Sequence, residues 1–283
     1  MHYIDFAPDF QYNSLAIGCV DPNPKCAEKR GKMSRFSDKL QSIYRGSTPS
    51  IGFRRSAGAE NPPLLIIARL SKPTVKEARA MAGADIDAGI ISSEGVDVVS
   101  LGKLATTMGD IPLGLFLEGA NQEEIVEFAD SGCDFVVFGL KTPLKAVKKE
   151  GIGKILQIEP SLDHGLARAI NELDLPVDGV LVTGEEPSLT VERLLVYQRF
   201  GELLDRPLLV TLGSSVTSGE LSSLYEAGVN GVVLPEGLPP EALTELRKTI
   251  DSLPKRVKRK AKGAAVLPQV AGELETEEEE EEI

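Results

Sequence analysis

The stretch Leu208–Gly237 reads LLVTLGSSVTSGELSSLYEAGVNGVVLPEG and contains a strand, a helix and a second strand in its pattern. Apart from Thr211 and Asn230, the runs Pro207–Leu212 and Asn230–Leu234 are apolar, which is typical of strands buried on both faces of a parallel sheet. Between them, Thr217 and Glu220 have the spacing of a capping box at the start of a helix. The stretch therefore predicts a βαβ arrangement whose strands start 23 residues apart.

The same period continues towards the N-terminus, through the region from residue 64 to residue 253. The predicted strands are Leu64–Arg69, Ala88–Ser92, Ile111–Leu117, Cys133–Gly139, Lys154–Glu159, Asp178–Thr183, Pro207–Leu212 and Asn230–Leu234. Eight strand–helix units in series predict an α/β fold, a single-domain (β/α)8 TIM barrel. An open doubly wound sheet is the alternative that the period alone leaves open.

The segments between the strands carry helix signals. Thr74 and Glu77 form a second capping box, and Asn121 with Glu124 resembles one. Pro143 and Pro240 stand where a first helical turn tolerates a missing N–H. Apolar residues at helical spacing predict three buried faces: Phe36, Leu40, Ile43 and Tyr44; Leu166, Ala169, Ile170 and Leu173; Leu243, Leu246, Ile250 and Leu253. In the segment 93–110, Val96–Leu101 could form a strand instead of a helix.

The two ends of the chain differ from its middle. Eight Glu residues lie between Glu273 and Ile283, and without them the net charge changes from −12 to −4. Six bases lie in Lys255–Lys262, and such blocks of like charge predict a disordered tail over 254–283 that could engage a protein partner. Residues 1–32 show no periodicity and are interpreted as a leader, either disordered or absent from a protein that starts at Met33. The predicted barrel domain is thus 33–253.

Composition excludes several classes of function. An acidic chain lacks the basic face of a general nucleic-acid binder. No apolar run approaches the roughly 18 residues of a membrane span. Cys133 lies in an apolar run and is expected to be buried, and the sequence has neither a disulfide framework nor a zinc-ligand spacing. These features predict a cytoplasmic protein with no membrane contact, no nucleic-acid partner and no identified metal site.

Charged residues stand at the ends of several predicted strands. In a TIM barrel the chemistry occurs where strands run into the following helices, so these residues are the candidates for function. We predict Glu118, Lys141, Glu159 and His164 as catalytic residues and Arg69 as an anion-binding residue. Glu118 and Glu159 could be a general acid–base pair, ligands of a divalent cation, or ion-pair partners of Arg69 and Lys141.

Two of these residues have further interpretations. Lys141 could anchor a substrate anion, form a Schiff base, or be an ordinary surface lysine. His164 could be a neutral imidazole that exchanges protons at a helix N-terminus. Alternatively, Asp163 caps that helix and His164 points into solvent.

The stretch Leu208–Gly237 resembles the closing quarter of phosphate-binding TIM barrels, which include flavin-dependent oxidoreductases, inosine-monophosphate dehydrogenase-like enzymes and ribulose-phosphate-binding barrels. The matching motifs are the turn Gly213–Ser215 and the approach Glu226–Gly231 to the last strand. The resemblance implies that backbone N–H groups of Gly213, Ser214, Ser215 and Gly237 bind a phosphate. Pro235 and Glu236 depart from the family pattern, because they remove one N–H donor and add a carboxylate.

Three functions remain open at this stage. The first is a lyase or isomerase that uses acid–base chemistry on a small phosphorylated or carboxylated metabolite. The second is an FMN-dependent oxidoreductase, and the third is a non-catalytic barrel that serves as a binding or scaffold module. The cofactor is unknown: a divalent metal and FMN are both conceivable, and neither has a strong motif in the sequence. The oligomeric state is also undetermined.

Overall fold

The computed structural model describes residues 34–46, 62–117, 122–148, 150–184, 188–213 and 216–253. The predicted leader and the predicted charged tail lie outside the described residues. The described residues form eight strands: β1 (Leu65–Arg69), β2 (Ala88–Ser92), β3 (Leu113–Phe116), β4 (Phe135–Gly139), β5 (Gly153–Ile158), β6 (Gly179–Val182), β7 (Leu208–Thr211) and β8 (Gly231–Leu234). Each pairs in parallel with the next, and β8 pairs with β1, so the sheet is a closed barrel. The prediction of a TIM barrel is confirmed.

The strands close because both of their faces are apolar. One set of alternate residues, including Ile67, Ile90 and Leu181, fills the interior of the barrel. The other set, including Ile66 and Val180, packs against the surrounding helices. All eight predicted strands are confirmed, with ends that differ by at most two residues.

Eight α-helices are described. They are α1 (Arg35–Arg45), α2 (Val75–Ala82), α3 (Val98–Met108), α4 (Gln122–Asp130), α5 (His164–Glu172), α6 (Val191–Leu203), α7 (Ser218–Glu226) and α8 (Pro240–Asp251). The Thr217–Glu220 capping box at α7 has both reciprocal hydrogen bonds. At α2, Thr74 caps the helix, whereas the Glu77 carboxylate accepts hydrogen bonds from Ser71 and Lys72. The predicted box at Asn121 lies outside the described residues.

The structure decides one open alternative and corrects one local prediction. Val96–Leu101 is not a strand, because Asp97 caps α3 and most of this segment is helical. Pro143 does not begin an α-helix: the connection from β4 to β5 contains a single 3₁₀ turn over Leu144–Val147. The fourth unit of the barrel therefore has one short turn where the other units have an α-helix.

The predicted buried face of α5 is also corrected. Ile170 is buried, but Leu166, Ala169 and Leu173 are exposed to solvent. The predicted face of α8 is confirmed, since Leu243 and Ile250 are buried and Leu246 is half-buried. Apolar residues at helical spacing show that one side of a helix is apolar, but they do not show whether a neighbouring element covers that side.

Helix α1 closes the N-terminal end of the barrel. Phe36 and Leu40 are fully buried among the interior strand residues, and the Phe36 ring stacks on Phe135 with a centroid distance of 4.2 Å. The Asp134 carboxylate accepts hydrogen bonds from the backbone N–H groups of Arg35 and Phe36. An acidic side chain at a helix N-terminus is favourable, so this contact fixes the helix across the barrel floor. Among the described helices, none is long and apolar enough to cross a membrane.

Candidate active site at the C-terminal mouth of the barrel

The inward-facing residues change character at the C-terminal end of the barrel. Successive side chains of a strand point to opposite faces of the sheet. The residue two positions after the last apolar interior residue of a strand therefore also points into the barrel, at its C-terminal end. These residues are Arg69, Ser92, Phe116, Gly139, Gln157, Thr183 and Thr211, and all of them are half-buried. In the part of the mouth that the structure describes, this layer combines one cation and one aromatic ring with several neutral hydrogen-bonding groups above an apolar interior.

Arg69 is the charged residue of this layer. Its guanidinium lies over the Phe116 ring, with 5.7 Å from Cζ to the ring centroid, and 3.4 Å from a carboxylate oxygen of Glu236. The two charged side chains are 36% and 47% exposed, so water screens their attraction. The predicted anion-binding residue is therefore held between an aromatic face and the carboxylate that interrupts the family pattern after β8.

The predicted catalytic residues are solvent-exposed where the structure describes them. Lys141 is two residues beyond β4 and exposed, and Glu159 directly follows β5 with Ser161 donating to its carboxylate over 3.3 Å. His164 is the first residue of α5 and contacts Arg199 rather than a mouth residue. Asp163 caps α5, as one of the two interpretations of this segment predicted. Glu118 lies outside the described residues.

The turn after β7 borders a small cavity of about 20 Å³. Gly184, Arg193, Gly213 and Glu220 line it, and its volume is enough for about one water molecule. Arg193 donates to the carbonyl of Thr183 over 3.4 Å, and a Cβ at Gly184 would lie 2.6 Å from the Arg193 Cζ. Because residue 184 has no side chain, the Arg193 guanidinium has room beside it at the wall of the cavity. Ser214 and Ser215 lie outside the described residues, so the phosphate-binding turn stays a prediction.

Glu220 lines the cavity as a stable carboxylate. Its Oε2 atom accepts hydrogen bonds from the backbone N–H and the hydroxyl of Thr217, at 2.7 and 2.8 Å. These bonds lower the pKa of Glu220 from its ordinary value. The cavity wall consequently carries a cation and an anion, and the Glu220 charge opposes entry of a further anion.

The turn after β8 is open to solvent. Gly237 has a φ of +75° and is exposed, so glycine is needed there for the backbone conformation. Its predicted role in phosphate binding remains a prediction. Glu236, its neighbour, is the residue of this turn that reaches the mouth, through its ion pair with Arg69.

Sequence reasoning missed several polar residues of the mouth. Gln157 donates to the Thr183 hydroxyl over 3.4 Å, and the Thr211 hydroxyl accepts the N–H of Gly184 over 2.7 Å. The available signal was a neutral polar residue at the last inward position of an otherwise apolar strand. Arg193 had no such signal, because it belongs to a helix, three residues past the N-cap.

The described residues contain no group of three His, Cys, Asp or Glu side chains that could hold a metal ion. Cys133 is buried, as predicted, and its thiol donates to the carbonyl of Phe135 over 3.1 Å. Burial raises the pKa of Cys133 to about 12. This thiol is therefore a packing residue and not a nucleophile.

The fold is similar to that of several solved structures. A variant of the tryptophan synthase alpha-subunit from the hyperthermophile Pyrococcus furiosus is 15% identical, with a TM-score of 0.52, over 68% of this chain and 98% of that chain. A structure on the mutual activation of the tryptophan synthase a2b2 complex from the same organism gives the same identity, coverage and TM-score. A protein from Aquifex aeolicus VF5 is 15% identical, with a TM-score of 0.56, over 76% of this chain and 99% of that chain.

At these identities the similarity concerns the fold alone. No protein-family model and no curated protein matches the chain.

Proposed function

We propose that this chain is a TIM-barrel enzyme that acts on a small anionic metabolite at the C-terminal mouth, with acid–base chemistry of the lyase or isomerase type. The observation that carries the proposal is the position of Arg69, between the Phe116 ring and Glu236 at the rim of an apolar interior. A half-exposed ion pair contributes little free energy, so a substrate anion can displace Glu236 from the guanidinium.

The mouth residues then have separate tasks. Arg69 binds the carboxylate or phosphate group of the substrate, and the Phe116 ring holds the guanidinium in place. Gln157 and Thr183, which already form a hydrogen-bonded pair, offer neutral donors and acceptors to the remaining polar groups. Lys141 and Glu159 follow strands whose inward positions end at Gly139 and Gln157, so they are the candidates for proton transfer, together with Glu118 and His164.

Anion binding tests this proposal directly. Thermal unfolding and calorimetry with inorganic phosphate, succinate and FMN should show stabilisation by at least one of these anions. Arg69→Met should weaken its binding about tenfold or more, because a charge-assisted hydrogen bond is lost. Glu236→Gln should strengthen binding, since it removes a competing carboxylate. The matched control is Arg79→Met, which changes an exposed arginine on α2.

The Glu236→Gln variant separates a binding site from a structural ion pair. If Arg69 serves only to hold Glu236, both variants lose the same contact and neither changes anion binding. Equal affinities of Arg69→Met and the unmodified chain would therefore show that the proposed site is wrong.

A non-catalytic binding barrel is the second candidate function. The observation that favours it is the solvent exposure of Lys141, Glu159 and His164, because proton-transfer groups usually owe their reactivity to burial. Prolonged incubation with each bound anion, followed by NMR of the small molecule, distinguishes the two. Conversion that Glu159→Gln abolishes supports the enzyme, whereas binding without conversion supports the binding module.

A further inference from the structure

Exposed apolar side chains are concentrated on one side of the barrel. Of the nine most exposed large apolar residues in the described part of the chain, six belong to the fourth, fifth and sixth units. They are Leu140, Leu144, Leu166, Leu173, Val191 and Leu195. Val191 is 77% exposed and Leu195 62%, both on α6. Apolar residues clustered in this way mark an interaction site, whereas singly scattered ones need no explanation.

The reduced fourth unit explains why this side is uncovered. Around the barrel, α5 packs against α6 on one side, while α4 packs against the 3₁₀ turn Leu144–Val147. An α-helix in the place of that turn would border α5 on its other side. Instead Leu166, Ala169 and Leu173, spaced by three and four residues, form an exposed apolar stripe along α5.

A groove of about 460 Å³ runs between the start of α5 and the outer side of α6. His164, Leu195 and Arg199 line it, and the Arg199 Nη2 lies 3.1 Å from the His164 Nδ1. Because a guanidinium only donates, Nδ1 of His164 is the acceptor in this contact. The contact fixes Arg199 at the edge of the apolar surface.

The charges on α6 are arranged so that the surface complements itself. Glu192 and Arg199 are exposed and seven residues apart, which is about two turns and about 10.5 Å along one face of the helix. Leu195 lies between them on that face. If two α6 helices cross antiparallel about a two-fold axis beside Leu195 and Val196, Glu192 of each copy faces Arg199 of the other. An isologous interface requires this kind of self-complementarity.

We propose that the outer face of α6, defined by Glu192, Leu195, Val196 and Arg199, binds a second copy of this chain in a two-fold symmetric dimer. The apolar side chains of both copies form its centre, and two Glu192–Arg199 ion pairs flank it. Central apolar contacts with charges at the rim are the usual anatomy of such an interface.

Charge reversal tests the pairing. Sedimentation equilibrium of the full chain should show a dimer, and Glu192→Arg and Arg199→Glu should each weaken self-association at least about 100-fold, because both place like charges opposite each other twice. The double variant exchanges the two charges and should dimerise again. An equimolar mixture of the two single variants should also dimerise, since every arginine then faces a glutamate.

The mixture distinguishes the proposed pairing from damage to the fold. The matched control is Lys103→Glu, a charge reversal on the exposed side of α3, which should dimerise like the unmodified chain. Far-UV circular dichroism and thermal unfolding verify that each variant is folded. A monomeric unmodified chain at concentrations up to about 1 mM, unchanged dimers of the single variants, or no association in the mixture would each overturn the proposal.

Discussion

Asp87 and Arg247 form a largely buried ion pair at the N-terminal end of the barrel. The Arg247 guanidinium donates to the Asp87 carboxylate and, over 3.0 and 2.9 Å, to the carbonyl of Asp85. Asp87 also accepts the backbone N–H of Ile66 over 2.8 Å. The pair therefore links α8 to the first two strands, and each partner satisfies a charge that burial would otherwise penalise.

Removal of Arg247 should destabilise the barrel strongly. In Arg247→Met the methylene packing is largely kept, but Asp87 loses its cation, so the free energy of unfolding should fall by about 3 kcal/mol. Urea denaturation measures the change. Arg79→Met, at an exposed position, should stay within about 0.5 kcal/mol of the unmodified chain. A loss equally small for Arg247→Met would mean that the carboxylate finds compensation elsewhere.

Lys154 is a buried lysine whose side chain faces the helix layer, because its neighbours Gly153 and Ile155 face inwards. Burial lowers the pKa of Lys154 below its ordinary value of 10.5, against the opposing effects of Asp178 and Glu150. A base with a lowered pKa in the folded state binds fewer protons than in the unfolded chain. Folding therefore gains stability as the pH rises from the folded-state pKa towards 10.5.

Lys154→Met should remove that gain. The free energy of unfolding of the unmodified chain should increase relative to that of the variant between about pH 8 and about pH 10. Urea denaturation of both proteins at each pH gives the difference, in which the titration of all other groups cancels. A difference that is constant or that changes in the opposite direction would contradict the stated effect of burial on this amine.

At the scale of elements, an Asp or Asn residue directly precedes each even-numbered strand. Asp87, Asp178 and Asn230 directly precede β2, β6 and β8, and each bonds one residue of the preceding strand twice. Its N–H donates to the carbonyl of that residue, and its side chain accepts the N–H: Ile66, Lys154 and Leu208 are the partners. Asp134, which precedes β4, instead directs its carboxylate to α1. The four positions thus secure both the strand pairing and the helix that closes the barrel.

Small residues form the first interior layer, and two of its glycines make room for α1. Ala88, Gly114, Gly153, Gly179 and Gly231 are the first or second residues of their strands. A Cβ on Gly179 would lie 2.7 Å from Cδ2 of Leu40, and one on Gly153 would lie 2.6 Å from Oγ of Ser34. The buried side of α1 and the glycines of the sheet are therefore complementary in shape.

Gly179 and Leu40 should be energetically coupled. Gly179→Ala forces Leu40 to shift and should cost roughly 1–3 kcal/mol, and Leu40→Ala should cost roughly 2–5 kcal/mol. In the double variant the added methyl enters the space that Leu40 has left, so Gly179→Ala should cost less than about 0.5 kcal/mol there. A double-mutant cycle by urea denaturation measures the coupling, and strictly additive losses would show that α1 and β6 do not compete for this space.

For the molecule as a whole, the sequence predicted what depends on local periodicity. The eight strands follow from short apolar runs, and the caps at Asp163 and Thr217 follow from the spacing of single residues. Burial on α5 could not be predicted in the same way. Whether Leu166 is covered depends on the neighbouring unit, and Pro143 precedes one 3₁₀ turn there instead of a helix.

The candidate site likewise combines features that local sequence predicts with features that depend on tertiary packing. Arg69 could be predicted as a mouth residue because it is the last residue of a strand that the sequence itself identifies. Its partners Glu236 and Phe116 come from other units, and only closure of the barrel brings them within reach. His164 was located correctly at the start of α5, but its contact with Arg199 depends on the packing of two helices. Sequence therefore predicts which residues are available, while tertiary packing decides which of them meet.

The break in the helix ring should be measurable in the exchange of backbone amides. Helices α5 and α7 both have nine residues and belong to the same barrel, but α7 packs against α6 and α8, whereas α5 packs against α6 and borders the 3₁₀ turn on its other side. Local opening costs less where fewer apolar contacts are lost. In dilute protein, the amides of α5 should exchange at least about tenfold faster than those of α7. Equal protection of the two helices would show that the fourth unit covers α5 as well as a full helix does.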